Sequence, residues 1–296
     1  MSSRIGKEVK ASVKYRVIHR FKGKYNVRDM CIFFGVSRSG YYAWTKKVNK
    51  EDPDKQIGEL IQQCQKKTRQ TYGYRRVQIW LLREFGLVMN HKAVLRVMNK
   101  YNLLSKSRRK RKWVQSSNSI HKYTNLFDRN FYAERPNLKW CTDISYIPTK
   151  EGFVYLSVIK DLYDNFVVAY KVGTENNNKL VYETVKAAKR EVTAELQLHS
   201  DQGFQYTSEG YFKLTKSYHI TPSMSSPGTP LDNACAENFF STLKSEWLHR
   251  YTPATKEEAR LLLDEYVHFY NYERIQLKTK LTPYEKRCQF HENVRF

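Results

Sequence analysis

The stretch KWCTDISYIPT, residues 139–149, alternates in the way a strand does. Trp140, Thr142, Ile144 and Tyr146 share one face, and Cys141, Asp143, Ser145 and Ile147 share the other, because successive side chains on a strand point to opposite sides. Asp143 therefore lies inside a strand, flanked by apolar neighbours. A lone carboxylate is costly to bury and calls for a partner charge. A cation would supply one.

Downstream, GFVYLSVIKD (152–161) and NFVVAYKVG (165–173) read as two more strands joined by a turn, in which Asp161 and Asp164 are expected to be solvated. A helix over Asn178–Val192 follows, then a short strand (Glu195–His199), a helix (Ser208–Lys216) and a strand (His219–Pro222). The Ser/Pro/Gly loop SMSSPGTP leads into a long helix, Asp232–Trp247, and a last helix runs from Lys256 to near Tyr272. This order predicts an α/β fold: a five-stranded mixed sheet with flanking helices, the ribonuclease H-like architecture.

Two further acids fall where that fold would present them. In LHSDQGFQYTS (198–208), Asp201 directly follows a short strand, and Gly203 permits the tight turn that leaves its carboxylate at the sheet edge. In LDNACAENFFSTLKSE (231–246), Glu237 lies one turn inside the helix, and Lys244, seven residues on, shares nearly its face. Three carboxylates without His or Cys form a hard oxygen set suited to Mg²⁺ or Mn²⁺. Two such ions about 3.5–4 Å apart could activate a water or a 3′-hydroxyl for in-line attack at phosphorus. Lys244 would hold a phosphate near the scissile bond. The 35 residues between Asp201 and Glu237 carry little weight alone, since ten Asp and 19 Glu supply such a pair by chance. Placement on the predicted elements carries the argument. His199 reads as a positioning residue beside Asp201, not as a ligand.

The net charge of +23 is concentrated upstream. Residues 1–136 hold 32 Lys and Arg against nine Asp and Glu, whereas residues 137–296 hold 20 of each. A basic arm on a neutral body points to a polyanion, and the lack of a basic amphipathic stretch favours nucleic acid over lipid. Residues 14–45 form a small helical unit in which Gly35 and Ser37 separate two short helices. It reads either as a helix-turn-helix presenting Arg38, Tyr41 and Tyr42 to DNA, or as a structural three-helix module. A helix over Gln56–Lys67 precedes YGYRRVQIWLLREFG and NHKAVLRVMNKYNLL, a second helical pair with Asn90 as N-cap. There Leu81, Leu82, Val94, Val97 and Met98 are core candidates, while Arg75, Arg76, Lys92, Arg96 and Lys100 populate the other faces, the first four as candidate DNA contacts. KSRRKRKW (106–113), with Arg108, Arg109 and Arg111, reads as a DNA-tracking segment or a solvated hinge. The expected division is 1–50, 51–105, a basic linker 106–136, and a catalytic core 137–296.

Five scattered cysteines with no Cys-x-x-Cys pair argue for reduced thiols, and no apolar run is long enough to span a membrane. A soluble, cytoplasmic, nucleoid-associated protein is expected.

The segments WCTDISY (140–146), HSDQGFQY (199–206), LDNACAENFFSTLKSE (231–246) and YNYERIQ (270–276) together resemble the OrfB transposases of bacterial insertion sequences. YGYRRV (72–77) and NHKAVLRVM (90–98) resemble the helical DNA-binding part of the same family. The resemblance, over about residues 30–290, implies that Asp143, Asp201 and Glu237 are DDE metal ligands and Lys244 the accompanying basic residue. It implies metal-dependent hydrolysis at the element's 3′ ends, followed by strand transfer by the released 3′-hydroxyl. It also implies two Mg²⁺ or Mn²⁺ ions, terminal-repeat and target DNA as partners, an OrfA protein or fusion, and a homo-oligomer on DNA. Asn233, Tyr270, Asn271 and Arg274 match motif positions, with Asn233 and Arg274 expected at DNA. Where many relatives carry His and then Gly after the arginine, this chain has Gln276 and Lys278-Thr279-Lys280, so a specific role for residues 274–280 does not carry over. Two other functions remain compatible with these residues: a non-catalytic DNA-binding regulator, or a ribonuclease H-fold nuclease that does not join strands.

Overall fold

In the computed structural model, KWCTDISYIPT is strand β1 (Lys139–Thr149), the centre of a five-stranded sheet in the order β3-β2-β1-β4-β5. The structure describes residues 9–48, 52–106, 123–190, 192, 195–226 and 229–293. Strands β2 (Gly152–Asp161) and β3 (Val167–Gly173) continue from β1 as an antiparallel meander, with Trp140 opposite Asp161 and Thr149 opposite Gly152. Strands β4 (Leu196–Ser200) and β5 (Ile220–Met224) run parallel to β1 on its other side. Parallel neighbours need crossover connections. Helix α7 (Asn178–Lys189) leads into β4 and α8 (Glu209–Ser217) into β5.

The alternation in β1 sends its residues to different cores. Trp140 and Ile144 pack with Val181 and Val185 of α7, Leu198 and Tyr211. Ile147, from the opposite face, joins a larger core with Phe239, Phe240 and Leu243 of α9 (Ala234–Glu246) and Leu263 and Tyr266 of α10 (Lys256–His268). Polar caps start these helices: Asn177 accepts from Leu180 N–H, Ser208 from Tyr211 N–H and Thr255 from Glu258 N–H.

Upstream, α1 (Ala11–Phe21), α2 (Val27–Phe33) and α3 (Arg38–Val48) close on a small core of Ile18, Cys31 and Tyr41. Gly35 makes the turn between α2 and α3 at φ +61°, a backbone conformation with no penalty for glycine. Helices α4 (Lys55–Lys67), α5 (Tyr74–Phe85) and α6 (His91–Lys100) are built as their periodicity predicts, with Asn90 capping α6. Val77, Leu81, Val94, Val97 and Met98 are fully buried, whereas Leu82, expected in the core, is 46% exposed because it falls on the outer side of α5. The core of this second helical segment is continuous with that of the sheet and α9–α10. Buried leucines and valines of this kind each contribute about 1.5–3 kcal/mol, so their shared cluster binds the segment firmly to the body.

Several expectations are revised. Asp161 and Asp164 are not solvated but fully buried, both held by Arg287 of a final helix, α11 (Pro283–Asn293), which the periodicity did not predict. Lys160 is also buried, donating to the Cys235 carbonyl at 2.6 Å. The helix expected from Asp232 begins at Ala234, after a 3₁₀ turn over Pro230–Asn233. The helix from Lys256 changes to a wider π turn over Phe269–Glu273. No described helix is long and apolar enough to cross a membrane.

Candidate active site

Asp143 sits in the middle of β1, one Oδ accepting from its neighbour's backbone N–H (Ile144) at 2.7 Å. Asp201 follows the last residue of β4, and its Oδ1 accepts from Gly203 N–H at 2.9 Å. A Cβ on residue 203 would stand 3.0 Å from that same Oδ1, so a larger residue there would push on the Asp201 carboxylate. Glu237 lies exposed in the first turn of α9, and Lys244 lies further along the same helix. Adjacent, parallel β1 and β4 bring Asp143 and Asp201 together, and α9 packs against β1.

The sequence-predicted acids lie within one another's electrostatic reach. Burial raises the Asp143 carboxyl well above its ordinary range; Asp201 and Glu237 raise it further, while Lys244 pulls it back. Asp201 is raised by burial. Glu237 is raised by burial and by Asp201. Lys244 is lowered by burial, with Asp143 acting against that shift. Asp143 and Glu237, made harder to ionise by neighbouring acids, mark a site short of positive charge. Yet among the described residues no three His, Cys, Asp or Glu side chains gather closely enough to hold one metal ion. The two facts are compatible, because Mg²⁺ is commonly bound by one or two carboxylates with phosphate oxygens and water filling the rest. The donor set fits such ions.

The surroundings include residues that the motifs alone did not single out. Tyr206 is buried behind the acids, its hydroxyl 3.3 Å from Thr142 Oγ1, and burial together with Asp143 and Asp201 keeps it protonated. His199 is buried, with Nδ1 2.9 Å from Ser223 Oγ and Nε2 3.1 Å from Ser225 Oγ, and its ring stacks on Phe127. Burial pushes its pKa down to about 4. Both ring nitrogens are engaged, as suits a positioning residue. Asp232, one turn before Glu237, is buried, and burial pushes its carboxyl up. Bonds from Thr229, Arg129 and the Ser226 N–H outweigh that and hold it at about 2. It secures the loop that delivers α9.

The predicted DNA contacts divide. Arg38, Arg75 and Lys92 are exposed. Tyr41 is not available: it is 2% exposed in the core of the first helical unit, because α3 turns position 41 inward and 38 and 42 outward. Arg76 points into the body, donating to the Ile275 carbonyl and pairing with Glu246. Arg274 is buried and forked onto both oxygens of Glu246 at 2.7 and 2.8 Å. Arg96 is solvent-facing but bidentate to Asp54. Asn233 is 4% exposed, with a buried Oδ1 that has no partner. Arg108, Arg109 and Arg111 lie outside the described residues. Tyr270 and Asn271 are also interior, Asn271 bridging the Val167 N–H and carbonyl.

Comparison with known proteins finds integrase-core and transposase relatives. Residues 133–230 and 218–275 match family models described as integrase core domain, and residues 51–111 match one described as HTH-like domain. The HTH-like match thus falls on α4–α6, not on residues 14–45. The chain is 34% identical over 277 residues to a protein of Escherichia coli (strain K12) named as transposase InsK for insertion sequence element IS150, covering 93% of this chain and 98% of that one. It is 29% identical to transposase InsF for insertion sequence IS3A of the same organism, covering 86% and 91%. Among solved structures, the catalytic core domain of BIV integrase aligns at 21% identity over 54% of this chain and 99% of that one, with a TM-score of 0.43.

Proposed function

The chain belongs to the insertion-sequence transposases that carry an integrase core domain, and on that footing we propose that Asp143, Asp201 and Glu237 are its catalytic carboxylates. The protein acts in DNA transposition. The observation that supports the finer assignment is that Asp201 and Glu237 raise the carboxyl of Asp143, and Asp201 that of Glu237, with the Lys244 ammonium set against Asp143.

Asp143, Asp201 and Glu237 would hold two Mg²⁺ or Mn²⁺ ions, which supply Lewis acidity at phosphorus and lower the pKa of the attacking hydroxyl. The backbone N–H groups of Ile144 and Gly203 fix the first two carboxylates. Lys244 places its ammonium on a phosphate oxygen beside the scissile bond. Cleavage transfers phosphorus from the element's 3′ oxygen to a water oxygen, releasing a 3′-hydroxyl. In joining, that hydroxyl oxygen attacks a target phosphorus, and the target's own 3′ oxygen leaves with the proton. The exposed cations of residues 1–105 and the basic linker 106–136 would hold the flanking duplex. OrfA, as partner or fusion, and a homo-oligomer pairing two ends complete the proposed assembly.

Asp143→Asn tests the assignment. It should bind terminal-repeat duplex as the wild type does, yet nick it at least a thousandfold more slowly (about 4 kcal/mol of barrier). Nicking within tenfold of wild type removes Asp143 from the chemistry. Wild type that binds but never nicks makes the protein a regulator.

A further inference from the structure

Strand β4 pairs with β1 only at Lys139–Cys141, while β2 accompanies β1 along its whole length. From Thr142 onward, the β1 edge turned away from β2 therefore has no strand paired with it among the described residues. Tyr146 stands on this stretch, three residues beyond Asp143, and is 61% exposed. It belongs to none of the buried clusters. Phe153, also half exposed, meets it edge-on at 5.7 Å from the neighbouring strand. Lys244 Nζ lies 4.9 Å from the Tyr146 ring centroid. An ammonium covers one ring face and leaves the rest open, consistent with the exposure. A core aromatic would be hidden; Tyr146, on the strand face opposite Asp143, is joined to the site through Lys244, whose ammonium also answers Asp143.

We propose that Tyr146, braced by Phe153, is a stacking platform for an unpaired nucleobase of the DNA end, beside the phosphate that Lys244 holds. Aromatic faces accept any base, and a neighbouring cation anchors the backbone of a separated strand. An end being cut or joined needs such a support, because a nucleotide drawn toward the acids loses its stacking partners. The site takes single-stranded or frayed nucleic acid and has no means of reading base identity. This proposal rests on the transposase reading of the site.

The test uses terminal-repeat duplex carrying 2-aminopurine at its last 3′ positions, bound to full-length protein in calcium buffer. Wild type, Tyr146→Phe and Tyr146→Trp should quench the fluorescence, because each retains an aromatic ring. Tyr146→Leu, which keeps an apolar side chain without a π face, should lose the quench. Its half-saturating DNA concentration for nicking in Mn²⁺ should rise about tenfold, the scale of one lost base–aromatic stack, with a smaller change in rate at saturation. Quenching by Tyr146→Leu equal to wild type, or absent in wild type, overturns the platform. Nicking by wild type judges the parent reading separately, since the quench needs no catalysis.

Discussion

Asp143 occupies a position that a structural residue would not. It lies half-buried in the central strand, with desolvation, Asp201 and Glu237 raising its carboxyl and the Ile144 N–H and Lys244 opposing them. Without a bound cation this arrangement destabilises the fold at neutral pH, where the carboxylates must ionise. Asp143→Asn should therefore raise the melting temperature of metal-free protein. Mn²⁺ should raise the melting temperature of wild type and leave that of the variant nearly unchanged, as differential scanning fluorimetry would record. An equal Mn²⁺ response in both would place the metal elsewhere. The strand, turn and helix that carry the three acids and Lys244 were legible in the sequence, because each has a strong local signal: strand alternation, a strand-end glycine, or helical spacing. Arg76, Arg274 and Tyr41 were misread because a lone basic or aromatic residue carries no sign of which way its helix or turn faces. That is decided by acids far along the chain, such as Glu246.

At the scale of elements, α9 is held at both ends. Asp232 ties down the loop before it, and Lys160 holds the Cys235 carbonyl in its first turn. At the far end Glu246 takes Arg274 from beyond the π turn and Arg76 from α5. Arg274→Met breaks a buried, bidentate pair and should cost about 3–5 kcal/mol in urea unfolding, while the DNA affinity of the folded protein stays within about twofold. A large loss of affinity with unchanged stability would return Arg274 to the DNA. Helix α11 is fastened through Arg287 to Asp161 and Asp164. Burial and Asp164 push the Asp161 carboxyl up to about 6, against the pull of Arg287. A carboxyl raised above its unfolded value favours folding at low pH, and that advantage is lost as pH rises from about 4 through 6. Removing Arg287 should deepen the loss, so the stability gap between wild type and Arg287→Ala should widen from pH 4.5 to pH 8. A gap independent of pH would show that the guanidinium does not balance these acids. Sequence could not reveal this clamp, since Asp161 and Asp164 look like ordinary turn residues until α11 covers them. The succession of strands and of the helices up to α10, by contrast, followed from periodicity and caps.

At the scale of the whole molecule, the basic charge lies upstream and the acid site downstream, and the two are not independent bodies. Tyr72 hydroxyl bridges the Glu273 carbonyl and the Ile275 N–H, and the α4–α6 core runs into that of α9 and α10. DNA gripped by this helical segment would be presented to the acids by a packed frame. Two ends must be paired for joining, so we expect at least two chains per pair of ends in sedimentation of the protein–DNA complex; one chain per pair contradicts that. The most direct test of the central claim is strand transfer with pre-cut terminal-repeat duplexes in Mg²⁺ or Mn²⁺, comparing a 3′-hydroxyl end with a 3′-dideoxy end, and wild type with Glu237→Gln. The account predicts joined products only from wild type with the 3′-hydroxyl end and divalent metal present. Joined products from Glu237→Gln, or none from wild type either alone or fused to OrfA while it still binds the repeats, would contradict it.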